Sequence, residues 1–263
     1  MGKRKKNVYE EKTGLLGRGD DYHIYHMKKS DYIASFGLGF FLGGIIAFAF
    51  FANFFIVILG GILCGMAMPR FYKDYKRKKR LEQLRLQFKD ALESIASSYS
   101  AGSNTRQAFR DAYKDLETIY GEESDICREI AIICTGVDSN INIESLLLNW
   151  AERCGLEDIK SFAEVFEVCN RQGANMRKIV SDTRDIINDK IEVEMEITTI
   201  LSGSKNELNL MIVMPFIIVL ALRFMGGGTI TSNSPQNILI KLLCLAMFIG
   251  AYVVGRKMTD IKI

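Results

Sequence analysis

Charge disappears from this chain twice. No Asp, Glu, Lys or Arg occurs between Tyr32 and Met68, and from Leu208 to Gly255 the only charges are Arg223 and Lys241. A hydrocarbon core about 30 Å thick takes roughly 20 apolar residues of helix. The first run is almost twice that length, so it predicts two membrane spans folded as a hairpin, with the turn near Ala52 and Asn53, where the run carries its one amide side chain. Glycines at Gly37, Gly39, Gly43, Gly44, Gly60, Gly61 and Gly65 would let the two helices pack closely in lipid. A cleaved signal peptide does not fit, because the run starts after a long polar stretch and far exceeds a leader's apolar region. A third span is expected from Leu208 to Met225, kinked at Pro215, and a fourth from Ile238 to Gly255, with the polar loop GGGTITSNSPQN between them.

Between the apolar zones the pattern is helical and shows no sustained strand alternation. Leu84, Phe88, Leu92, Ile95 and Tyr99 form one stripe ending at Ala101-Gly102. Asn104 is placed to cap a second helix, striped by Ala108, Phe109, Ala112, Tyr113, Leu116 and Tyr120 up to Gly121. Ile126, Ile130, Ile133 and Cys134 mark a third, expected to stop at Gly136. Ile143, Leu146, Leu147, Trp150, Ala151 and Cys154 mark a fourth ending at Gly155. Ile159, Phe162, Ala163, Phe166 and Cys169 mark a fifth, closing at Gly173. The sixth begins near Asn175 with Ile179, Thr183, Ile186, Ile187 and Ile191 expected to face inward. No loop-like cluster interrupts it before Phe224, so it is expected to continue into the third span as a rod of roughly 75 Å.

The expected fold is therefore an all-α membrane protein: two N-terminal transmembrane helices, a six-helix antiparallel bundle, and two C-terminal transmembrane helices. Its segments are a polar tail (1–31), a transmembrane hairpin (32–69), a basic membrane-exit segment (70–80), a helical domain (81–205), a second transmembrane hairpin (206–255) and a short end (256–263).

Charge then orients the chain. MPRFYKDYKRKKR, Met68 to Arg80, places Arg70, Lys73, Lys76, Arg77, Lys78, Lys79 and Arg80 directly after a span, as a membrane anchor held against anionic lipid head groups. With Lys28, Lys29, Arg256 and Lys257 they outnumber Arg223 and Lys241 on the opposite side by eleven to two. The positive-inside rule puts tails and bundle in the cytoplasm. Arg223 and Lys241 sit near span ends where long side chains snorkel; an ion pathway is their alternative reading. The net charge of +3 is too small for a general polyanion binder, and nucleic acid is not an expected partner.

Candidate chemistry is sparse. Cys64, Cys127, Cys134, Cys154, Cys169 and Cys244 contain no C-x-x-C pair and read as reduced, buried thiols. His23 and His26 lie in the polar tail without a ligand partner nearby, so neither metal nor cofactor is expected. No Gly-Lys-Ser/Thr phosphate loop, G-x-S-x-G or H-E-x-x-H occurs, and no enzyme activity is expected. Asp182, Asp185, Asp189, Glu192 and Glu196 recur at 3,4,3,4 along the sixth helix. They read either as a solvated face or as a docking surface for a basic partner.

DALESIASSYSAGSNTRQAF (Asp90 to Phe109), Thr135-Gly136, and IESLLLNWAERCGLEDIKSFAEVFEVCNRQGANMRKIV (Ile143 to Val180) resemble the F-type platform proteins of type II secretion and type IV pilus systems. The nearest resemblance is to the Tad (Flp) pilus subgroup, TadB and TadC. Lys89 stands where that family often has Pro, so the first helix is expected to run on from the membrane exit. The larger platforms carry two copies of the domain and this chain has one, which implies a second platform subunit. The resemblance further implies a multi-pass inner-membrane scaffold that couples a cytoplasmic hexameric ATPase to pilin extraction or assembly. A transporter or channel and a membrane-anchored nucleic-acid binder are the competing classes.

Overall fold

In the computed structural model the described residues are 12–25, 27–50, 54–172, 175–225 and scattered positions between 243 and 255. Among them the regular structure is entirely helical: α1 Lys29–Phe50, α2 Phe54–Ser100, α3 Thr105–Tyr120, α4 Asp125–Asp138, α5 Ile143–Cys154, α6 Glu157–Arg171 and α7 Met176–Phe224. Three of these, α1, α2 and α7, contain stretches long and apolar enough to cross a membrane. The described residues fall into two compact units, one drawn from Met1–His26 and Asp74–Ile191, the other from Met27–Lys73 and Glu192–Ile263.

In the second of these units, α1 and the start of α2 touch backbone to backbone. A Cβ at Gly43 would stand 2.8 Å from the Gly60 carbonyl oxygen and 2.6 Å from the Cys64 Cβ. Small residues are therefore what allows the contact, as expected for helices that gain nothing from hydrophobicity inside lipid. Gly37 meets nothing and Gly44 only the edge of Val57, so they lie off the contact line. The turn expected at Ala52 and Asn53 lies outside the described residues, as do the 226–237 loop, Lys241, Arg256 and Lys257, and most of the expected fourth span.

The helical unit has one core, to which α2 through α7 all contribute. Leu84, Phe88, Leu92, Ile95 and Tyr99 are buried as their spacing requires, and α2 runs unbroken through Pro69 from Phe54 to Ser100. Trp150 is 1% exposed and meets the Phe88 ring edge-on at 5.5 Å. Phe88 also packs on Phe162, and Phe162 on Phe166. Such offset and edge-on aromatic pairs add to plain area burial. Asn104 caps α3 by accepting from the Gln107 N–H, and Gly155 ends α5 at φ +65, a left-handed position glycine adopts without steric cost.

Several expectations fail. Cys64 is exposed and Cys134 and Cys169 are only half-buried, and Tyr120, at the end of the α3 stripe, is exposed because it lies at the helix's last position. α4 does not stop at Gly136 but continues to Asp138, and the left-handed residue at its end is Asn140, φ +61. Gly136 serves packing instead: a Cβ there would sit 2.6 Å from a Leu146 methyl on α5. On α7, Ile186 does not face inward but is 67% exposed, while Val180, Ile187 and Ile191 are buried. Adjacent isoleucines on a helix point about 100° apart, so Ile186 and Ile187 cannot both reach the core.

Candidate functional site

The acidic stripe predicted on the last helix lies on α7, and Asp182, Asp185, Asp189, Glu192 and Glu196 are all exposed. Asp182, Asp185 and Asp189 belong to the helical unit; Glu192 and Glu196 fall beyond its limit at Ile191. The structure joins the stripe to a second acidic group that the sequence reading did not single out. Arg184 donates to Asp185 Oδ1 through Nη2 at 2.7 Å and to Glu93 Oε1 on α2 through Nη1 at 3.3 Å. Beside Glu93 an open groove of about 530 Å³ runs between α2 and α3, with Asp90, Glu93, Ser94, Ser97, Asp115 and Thr118 supplying its polar lining. Ser94 donates to Asp115, and Tyr120 donates to Asp90. That bond, with lesser burial, pushes the Tyr120 phenol up to about 12.

Arg184 therefore bridges the two, bonding Glu93 of the groove and Asp185 of the stripe. Asp90 and Asp115 line the groove beside Glu93, and Asp182 and Asp189 continue the stripe on either side of Asp185. Such a field attracts basic side chains and raises their encounter rate more than it tightens the final complex. It follows no single spacing rule, since the α2 and α3 carboxylates lie on helices whose inward stripe is what the sequence displays.

The basic exit segment divides. Arg70, Lys73, Lys78 and Lys79 are exposed, and Lys76 is half-buried. Arg80 instead turns into the helical unit, donating to both Asp125 oxygens at 2.6 and 2.7 Å and to Asp20 Oδ2 at 2.7 Å, over the face of the Tyr22 ring. Arg77 donates to the His23 carbonyl at 3.4 Å. The polar tail is thus partly packed: Tyr22 is buried, and its hydroxyl donates to Glu129. Glu129 and Arg153, each 1% exposed, form a two-bonded ion pair between α4 and α5. Sequence reasoning missed this site; the available signal was a glutamate and an arginine inside otherwise apolar helical stripes.

A second buried carboxylate, Asp158 in the first turn of α6, accepts from Lys190 Nζ at 2.8 Å and from Arg85. Among the described residues no group of His, Cys, Asp and Glu could hold a metal ion. His23 lies against Gly155, and His26 lies outside the described residues. Arg223 is in α7 with its side chain outside the description. Cys154 and Cys134 thiols are pushed up to about 11 by burial, which makes them poor nucleophiles.

No protein-family model matches the chain, and no curated protein and no solved structure matches it.

Proposed function

We propose that this chain is an integral-membrane platform protein of a Tad or type IV-like pilus, or of a type II secretion machine. It spans the inner membrane with two N-terminal and two C-terminal helices and holds a six-helix domain in the cytoplasm. There it docks a hexameric ATPase, works with a second platform subunit, and couples the motor to extraction or assembly of pilin. The protein catalyses no reaction of its own.

One observation carries this reading. α7 is a single 49-residue helix whose first turns bear the acidic stripe and whose last turns form an apolar candidate span. A motor pressing on the exposed carboxylates would act on the same helix that carries the candidate span. The basic tract Arg70 to Lys79 fits the anionic leaflet on the cytoplasmic side.

Reversing charge at Asp185, Asp189 and Glu192 together tests it. Exposed positions contribute little to folding, so insertion and helix content are expected to stay intact while co-purification of the ATPase and pilus assembly fall. Unchanged co-purification and normal assembly would return the stripe to a merely solvated face.

A further inference from the structure

Residues 12–25 form turns and extended chain with no helix or strand, yet they are held on the helical unit as a ligand is held. The Tyr22 ring is the anchor, buried beneath the Arg80 guanidinium carbon at 4.6 Å, with its hydroxyl 3.0 Å from Glu129 Oε1. The backbone is read as well: the Tyr22 N–H donates to the Arg153 carbonyl at 3.2 Å, and Arg153 Nη1 donates to the Asp20 carbonyl at 3.0 Å. Asp20 adds a charged contact to Arg80, while Asp21 folds back on its own segment, accepting from the N–H groups of His23 and Lys12. Gly19, at φ +109, lies so close to Arg153 that a Cβ there would fall 2.5 Å from Nη1.

Two features separate this from an ordinary piece of core. The groove is electrostatically complete without the segment: Arg153 is neutralised by Glu129 and also donates to Asn149, and Arg80 is neutralised by Asp125. Removing the segment would therefore strand no unpaired buried charge, the penalty that normally makes such contacts irreversible. The contact is also incomplete on one side. A partly open concavity of about 270 Å³, lined by Arg18, Gly19, Asp20 and Tyr22 of the segment and by Arg128, Glu129, Ala131 and Ile132 of α4, lies beside the Tyr22–Glu129 bond, so the segment does not fill the space against α4.

We infer that Arg80, Asp125, Glu129 and Arg153 form a recognition groove for an extended segment with an acidic residue two positions before a tyrosine, filled at rest by the chain's own Asp20 and Tyr22 and open to the same segment supplied in trans by a second copy. Exchange of an identical element between copies keeps every contact and so costs little beyond tether strain. The bound segment competes with its own double, which makes occupancy depend on local concentration.

The test uses the full-length chain in detergent and a dye-labelled synthetic peptide of residues 12–25, read by fluorescence anisotropy. Tyr22→Ala empties the anchor pocket; Asp20→Lys, a separate variant at an exposed position, sets a cation against Arg80. Both variants are expected to bind the peptide at least about tenfold more tightly than the wild-type chain, whose groove is occupied. A peptide carrying Ala in place of its Tyr is expected not to bind. Equal binding to wild type and variants would overturn the inference. So would no binding to variants that keep their helical circular dichroism and Trp150 emission. Loss of those folding signals in both variants would show the segment to be an integral part of the core and would overturn it equally.

Discussion

Glu129 and Arg153 illustrate how a single residue pair can be costly to break without being a source of stability. Desolvating both ions consumes most of what their attraction returns, but removing one partner leaves the other charged and buried. Glu129→Gln is therefore expected to cost about 3–5 kcal/mol, measured by denaturant unfolding in detergent and followed by emission of Trp150, the chain's one tryptophan. Glu129→Leu combined with Arg153→Met is expected to cost far less; equal losses would contradict this account. Asp158 gives a pH signature. Burial alone would raise its carboxyl, but hydrogen bonds from Lys190 and Arg85 outweigh burial and hold it below its ordinary value. Folding thus favours the ionised form, and its contribution is complete above the ordinary Asp range near pH ~4. It drains away as pH falls through the lowered folded-state value. The stability gap between wild type and Asp158→Asn should be widest at neutral pH and narrow below about pH 4; a gap constant from neutrality into strong acid would show that Asp158 does not carry it.

At the scale of the element, α4 and α5 show a glycine read for the wrong purpose. The sequence offers Gly136 as a helix stop, and the structure uses it as the flat site on which Leu146 rests. Gly136→Val would gain helix propensity and still destabilise, by about 1–3 kcal/mol from overpacking, in unfolding curves followed by circular dichroism. Stabilisation would mean that α5 shifts freely, contrary to the packing described. The long helices behave differently. α7 was legible as continuous because it carries no cluster of turn residues, and the continuation of α2 from the membrane exit because Lys89 stands where a Pro would break it. The continuity of α2 back through Pro69 was not read, and Pro69 and Pro215 are accommodated within the two helices. What could not be read was the angular setting of α7. Val180, Ile187 and Ile191 compete with Ile179 and Ile186 for the same inward role, and only packing against the other helices selects among them.

For the whole molecule, the charge asymmetry makes a topological prediction that does not depend on the identity of any partner. With native cysteines made unreactive, a cysteine placed at Ser232 should react with a membrane-impermeant reagent added to intact cells. Cysteines placed at Ser103 and at Ser30 should not. Reaction at Ser103 would reverse the orientation derived from the positive-inside rule.

Periodicity determined a large part of this protein unaided. Apolar runs without charge had to be helices long enough for a membrane, and amphipathic stripes at 3 and 4 spacing had to be helices sharing a core, because both follow from burying apolar surface within a hydrogen-bonded backbone. The acidic stripe on α7 was equally visible, since residues on one helix face keep a fixed spacing. Tertiary structure alone decided the rest. Glu93 joins that stripe only where Arg184 reaches α2, and Arg80 leaves the basic tract only because Asp20, Asp125 and Tyr22 converge on it. These groups come from segments far apart in the chain, and local spacing carries no information about which distant charges packing will bring together.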